Sequence, residues 1–218
     1  MKSFLKNSTD SFEETHHLMI TDNHSQHDKE PNYWKYIIDN VSKDKQYWQG
    51  KRALDFGCGC GRNIKNILDN SSFHQVDGVD ISSQNAEYAK QYAIKYHPDA
   101  KVHTWQNDGA TLKPCDDNTY DFIMSHQVIQ HIGNYDVRLS LLTDMYRVLK
   151  DEGMICLHYM SMDGSKYYDC ADSLQNMIVE NPQYVVDDLV KIGFKKVNYN
   201  HCKDFYMGRD EYYFTAIR

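Results

Sequence analysis

An α/β fold is what this sequence predicts, and three observations predict it. Short apolar runs of strand length recur at Ala53 to Phe56, Gln75 to Val79, Tyr120 to Ser125 and Met154 to Tyr159. Between them lie stretches with apolar residues at helical spacing, such as Ile64, Ile67 and Leu68, then Val137, Leu141 and Met145. The first run also passes directly into glycines at every second position, Gly57, Gly59 and Gly61, before a helix opens near Arg62. Strand, glycine turn and helix in that order is the start of a parallel βα unit.

Taken in order, the first 30 residues are polar, with His16, His17, His24 and His27 among Ser, Thr, Asp and Asn, and read as an arm or lid. The run YWKYIIDNV puts Tyr33, Tyr36, Ile37 and Val41 at helical spacing. The stretch ALDFGCGCGRN, Ala53 to Asn63, is a strand followed by a turn without side chains at its glycines, where a ligand can lie against the backbone and the helix N–H groups are free to bind it. This is a nucleotide-cofactor cradle. A dinucleotide fingerprint wants GxGxxG, whereas here the pattern is GxGxG with Arg62 at the third position, which disfavours NAD.

The second strand ends on Asp80, about 20 residues past the glycines, where a carboxylate can accept ribose hydroxyls. Ser82 and Ser83 then open a helix that His97 and Pro98 close, and Val102 to Gln106 is a third strand leading into Asn107, Asp108 and Gly109. Tyr120 to Ser125 is the fourth, followed by SHQVIQHIG with His126, Gln127 and His131 near its end. Histidine is the side chain that can take a proton near neutral pH, so His126, His131 and later His158 are candidate bases. A helix through Val137 and Leu149 gives way at Asp151, Glu152 and Gly153 to a fifth strand. Residues 160–182 read as a substrate-lid insertion, with Tyr167 and Tyr168 as pocket candidates. A helix closed by Gly193 and two alternating strands, Lys195 to Tyr199 and Tyr212 to Ile217, complete the chain.

These motifs together, Asp55 with GxGxG, Asp80 closing VDGVDIS, and Asp108 in QNDGA, resemble the class I S-adenosylmethionine-dependent methyltransferases of small-molecule type, from about Lys51 onward. The resemblance implies a three-layer doubly wound (Rossmann-like) seven-stranded sheet in the order 3-2-1-4-5-7-6 with strand 7 antiparallel. It also implies S-adenosyl-L-methionine as cofactor, S-adenosyl-L-homocysteine as product, and a small-molecule acceptor methylated on O or N. The cofactor set it implies is Asp55, Gly57, Cys58, Gly59, Gly61, Asp80, Ile81, Asn107, Asp108, Gly109 and Ser125, with ribose on Asp80 and adenine at Asp108. Tyr33, Tyr36, Gln127, Tyr167 and Tyr168 are the substrate candidates. VIQHIG and His158 in CLHYM are also similar to cyclopropane synthases, which keeps lipid or carbon methylation as an alternative, but Gln130 stands where those enzymes have an acid. A non-catalytic cofactor-binding subunit is the other.

Composition narrows the partners. With 218 residues, one domain over 31–218 preceded by the 1–30 arm can bury a sizeable core. Lys plus Arg number 24 against 31 for Asp plus Glu, a net charge of −7 that disfavours nucleic acid. No apolar run reaches the roughly 20 residues that cross a bilayer, and the opening residues lack an apolar leader, so a cytoplasmic monomer or homodimer is expected. Cys58 and Cys60 have one residue between them, not the two of a CxxC pair, and no metal site is expected.

Overall fold

The computed structural model describes Lys6, Thr9, Asp10, Glu13, Val41 and residues 45–161, 181–206 and 209–218. A single turn of 3₁₀ helix, Lys45–Trp48, leads into β1, Arg52–Phe56. The chain then alternates through α1, Arg62–Asn70, β2, Gln75–Asp80, α2, Ser83–Tyr96, and β3, Lys101–Gln106. After β4, Tyr120–Ser125, come α3, Tyr135–Val148, β5, Leu149–Ser161, α4, Pro182–Ile192, β6, Lys195–Tyr206, and β7, Arg209–Ile217. The sheet has seven strands in the order β3-β2-β1-β4-β5-β7-β6. β1 pairs in parallel with β2 and β4, β2 with β3 and β4 with β5, while β7 runs antiparallel between β5 and β6. This is the expected topology.

Alternation along the strands makes the layers. Leu54, Ile123, Ile155 and Leu157 pack on one face with α3 and α4, through Leu141, Met145 and Leu189. Their neighbours Ala53, Phe122 and Cys156 pack on the other with α1 and α2, through Ile64, Ile67, Ala89 and Ala93, and with Trp48. A period of two sends successive side chains to opposite faces, which is why central parallel strands must be apolar on both.

Local chemistry sets the helix ends. Ser82 caps α2 by accepting from Asn85 N, Asn134 caps α3 by accepting from Val137 N, and Asn181 with Pro182 opens α4. Gly193, at φ 122, returns its N–H to Leu189 and Val190 to close α4.

Three boundaries differ from the sequence reading. β5 starts at Leu149, which pairs with Tyr120, and resumes with Met154 opposite Phe122, so the Asp151–Gly153 turn is looped out of the strand rather than preceding it. β6 and β7 both run longer than their alternating cores, because each pairs with the other as far as Tyr206 and Arg209. The run from Tyr33 to Asn40 and the 162–180 part of the insertion lie outside the described residues.

At the sheet end opposite the strand tips, Asp77 is buried on β2 and accepts from Arg52 Nη2 at 3.0 Å, Tyr120 Oη at 2.9 Å and Gln75 Nε2 at 2.7 Å. These bonds tie β1, β2 and β4 together.

Candidate active site

Ligands of open parallel sheets sit outside the C-terminal ends of the strands, and the described residues of the predicted cofactor set lie at or just beyond those ends. At the tip of β1 the chain turns through Gly57, Gly59 and Gly61, at φ of 73, 49 and 90. Two of the three are forced by close approach. A Cβ on Gly57 would lie 2.3 Å from Cγ2 of Val128, and one on Gly61 would lie 2.8 Å from Cα of Ala89 in α2. Backbone bonds hold the turn to β2, with Val79 O accepting from Gly57 N at 2.7 Å and from Cys58 N at 3.0 Å.

Asp80 closes β2 with its carboxylate folded inward. It accepts from Gly59 N at 2.9 Å, Ser82 N at 2.9 Å and Asn85 Nδ2 at 3.2 Å. Burial raises its pKa, and these three bonds oppose the rise. The carboxylate therefore shapes the cradle as well as standing at its rim. Its carbonyl accepts from Asn107 N at 2.9 Å, which joins the tips of β2 and β3, while Gln106 Nε2 donates to Ile81 O at 2.9 Å.

Asp108 is exposed and builds its own turn. Its Oδ1 accepts from Ala110 N at 2.9 Å and Thr111 N at 2.6 Å, and its Oδ2 from Thr111 Oγ1 at 2.9 Å. Gly109 follows at φ 75.

Asp55 is different in kind. It is fully buried at the base of the glycine turn, and neither carboxylate oxygen has a hydrogen-bond partner. Burial pushes its pKa up to about 8, the Arg62 guanidinium pulls it down, and Asp80 raises it further. A buried carboxyl without partners costs free energy unless something pairs with it. A donor carrying an ammonium group beside the glycine backbone would supply that partner, so the cradle fits an amino-acid-bearing adenosyl cofactor. Cys58, buried between turn and β2, has its thiol pushed well up by burial and serves as packing.

The turn after β4 forms the next wall. Ser125 and His126 are buried, and Gln127 takes φ 58. The Gln127 amide donates to His158 Nδ1 at 3.2 Å, and its side-chain Oε1 accepts from Arg62 Nη2 at 3.3 Å. His126 lies against His158, ring centroids 4.7 Å apart, and stacks at 6.0 Å on Tyr213 of β7. Burial drives the pKa of His126 well below its usual range, with His158 and Arg62 adding to the fall. Burial and His158 likewise push His131 down to about 4. Of these three histidines, His131 alone is only half-buried.

The structure also brings in residues that the sequence reading missed. Glu13 of the arm sits on the N-terminus of α2, accepting from Ser82 Oγ at 2.8 Å and Ser83 N at 2.7 Å. Glu211 of β7 is fully buried with Oε2 at 3.1 Å from His158 Nε2. Arg62 is buried although it opens a helix beside the cradle. An Arg after GxGxG was visible in the sequence as a charge at a helix start; nothing local marks Glu211. Tyr33, Tyr36, Tyr167 and Tyr168 lie outside the described residues. Among the described residues no group of three or more His, Cys, Asp or Glu could hold a metal ion, and no helix is long and apolar enough to cross a membrane.

Comparison with known proteins agrees with the cradle. The family model described as "Methyltransferase domain" matches residues 54–157. The chain is similar to phosphoethanolamine N-methyltransferase 2 of Caenorhabditis elegans, 27% identical over 154 residues that make up 68% of this chain and 33% of that protein. It is similar to demethylmenaquinone methyltransferase of Staphylococcus epidermidis, 31% identical over 56% of this chain and 47% of that protein. The chain thus spans between about a third and a half of these relatives' length. Its fold is shared with Haemonchus contortus phosphoethanolamine N-methyltransferase 2, solved with phosphomonomethylethanolamine and S-adenosylhomocysteine, at TM-score 0.66 and 18% identity over 84% of this chain and 52% of that one. It is shared as well with a chain from the complex between the Haloferax volcanii Trm112 activator and a putative methyltransferase, at TM-score 0.72 and 14% identity over 94% of this chain and 96% of that one.

Proposed function

We propose that this chain, which belongs through residues 54–157 to the class I S-adenosylmethionine-dependent methyltransferases, transfers a methyl group to oxygen or nitrogen of a small-molecule acceptor. The observation that carries the reading is the buried, partnerless Asp55 carboxyl beneath a glycine turn whose Gly59 N–H is held by Asp80. In this reading Asp55 pairs with the methionine ammonium, the backbone from Gly57 to Gly61 faces the donor, Asp80 meets the ribose, and Asp108 with Asn107 and Gly109 meets the adenine.

The donor supplies an already activated sulfonium methyl, so what the protein must add is alignment. Proton handling falls to His131. Held neutral by burial, its imidazole can accept a hydrogen bond from an acceptor N–H or O–H. Acceptor choice is assigned to the 1–30 arm, whose Glu13 meets α2, and to the 160–182 segment, with Tyr33, Tyr36, Tyr167 and Tyr168 as the substrate candidates. The setting is a reducing cytoplasm, in keeping with the free thiols of Cys58, Cys60, Cys115, Cys156 and Cys202.

A carbon acceptor is the competing reading, because relatives include sterol 24-C-methyltransferase of Schizosaccharomyces pombe, 25% identical over 71% of this chain and 42% of that protein. Titration calorimetry with S-adenosylmethionine and S-adenosylhomocysteine, followed by product release against a panel of amines, alcohols, quinols and sterols, tests both. Absence of donor binding removes the whole proposal; turnover only on carbon acceptors replaces it with the second reading.

A further inference from the structure

We propose that His158 and Glu211 are positioning residues: together they form a brace, running from β7 through β5 to the amide of Gln127, that sets the turn after β4 against the glycine turn. The inference rests on the cofactor reading above, since the glycine turn is what the brace supports.

The imidazole's roles are assigned by its contacts. Gln127 N–H donates to Nδ1 at 3.2 Å, so Nδ1 carries the lone pair and the ring proton belongs on Nε2. Nε2 lies 3.1 Å from Glu211 Oε2, in contact with the carboxylate but off the line of a well-aligned hydrogen bond. Glu211 is 0% exposed, and its carboxylate oxygens have no hydrogen-bond partner, so among the described residues the imidazole is the contact that compensates its burial. The pairing arises because β7 lies antiparallel beside β5 with His158 opposite Tyr213 and Met160 opposite Glu211, which places the two side chains diagonally across the ladder.

What the brace holds is strained. Gln127 is a residue with a Cβ at φ 58, a conformation that costs roughly 1 kcal/mol or more unless its surroundings impose it. Its two ends are imposed: the amide by His158, the side chain by Arg62 at 3.3 Å. The next residue, Val128, fills the space that a side chain at Gly57 would occupy, its Cγ2 only 2.3 Å from the Cβ position. A peptide that rotates at Gln127 therefore moves Val128 into or away from the cradle, with no intervening residue to absorb the shift. The same geometry turns both ring nitrogens of His158 into the fold, Nδ1 to the Gln127 amide and Nε2 toward Glu211, which favours a positioning role over that of a base.

Four variants of the full chain separate this from general core packing. His158→Asn keeps an acceptor where Nδ1 stands; His158→Gln keeps a polar group only toward Glu211. Glu211→Gln keeps the acceptor for Nε2–H, and Glu211→Leu does not. Each is titrated with S-adenosylhomocysteine, and exchange of the Gln127 amide is followed by hydrogen–deuterium exchange. The Asn and Glu211→Gln variants should bind within about threefold of wild type and keep the amide protected, while His158→Gln and Glu211→Leu should weaken binding about tenfold or more and release the amide. Equal behaviour of His158→Asn and His158→Gln in both measurements overturns the brace, as does an amide whose exchange none of the variants changes. If the amide follows the expected order but wild type binds no S-adenosylhomocysteine, the brace stands and the cofactor reading fails.

Discussion

Asp55→Asn isolates the group on which the functional reading depends. In the unfolded chain this carboxyl releases its proton near 3.8, and in the fold burial delays release until about 8. Between those values the folded protein holds a proton that the unfolded chain has lost, so its stability falls as pH rises through the window, by about 1.4 kcal/mol per unit. Asparagine has a similar shape and does not titrate there. Urea unfolding of both proteins at about pH 5 and about pH 8 should show wild type losing about 3 to 4 kcal/mol more than the variant over that span, with every other group common to the two. A cation beside the carboxyl reverses the balance: S-adenosylmethionine binding near neutral pH should release close to one proton in wild type and almost none in Asp55→Asn, measured calorimetrically in buffers of different ionisation enthalpy. The variant should thus be the more stable protein and the poorer binder. Parallel stability profiles for the two proteins would refute the argument, because they would mean that Asp55 is charged in the fold and already paired.

Four further outcomes follow from particular contacts. Asp80→Ala removes the acceptor for Gly59 N, Ser82 N and Asn85 Nδ2 and should weaken S-adenosylhomocysteine binding by roughly 1 to 3 kcal/mol; an unchanged dissociation constant contradicts the assignment. Gly57→Ala drives a methyl into Val128 and should cost about 1 to 3 kcal/mol in thermal or urea unfolding, part of it recovered by Val128→Ala in the same chain. Tyr120→Phe deletes the buried bond to Asp77 at the far end of the sheet, so stability should fall by about 1 to 3 kcal/mol while cofactor affinity stays as it was. His131→Ala should lower turnover, once an acceptor is identified, without weakening donor binding, and full turnover would show that no proton passes through this side chain.

How far the sequence could be read depended on the range of the interaction involved. The glycine turn, the Asp80 tip and the β4 run from Tyr120 to Ser125 are local: backbone freedom, a strand-length apolar segment and a carboxylate at its end are adjacent in the chain. The order of the strands was not local. Periodicity cannot say that β4 pairs with β1 or that β7 slips between β5 and β6, and only the resemblance of the ordered motifs carried that information. Asp108 shows one sequence signal with two physical meanings, since the same loop aspartate that can meet a base also closes its own turn on Ala110 and Thr111.

The least legible residues are polar groups whose partners lie far away. Asp77 and Glu211 look like ordinary strand acids facing water, yet both are buried at 1% exposure or less, one answered by Arg52, Gln75 and Tyr120, the other by His158. A buried carboxylate is tolerated only where the fold brings compensation to it, and apart from Gln75 that compensation comes from strands dozens of residues away. Asp55 is the exception that identifies the site. It has the burial of Asp77 and Glu211, but among the described residues its oxygens have neither the hydrogen bonds of Asp77 nor the close imidazole of Glu211, and it lies beneath the part of the chain from which glycine has removed the side chains. The fold compensates its acids at the far end of the sheet and across the β5–β7 ladder, whereas at the strand tips only the Arg62 guanidinium opposes the burial of Asp55, so a cationic ligand is what the proposed function expects to complete it.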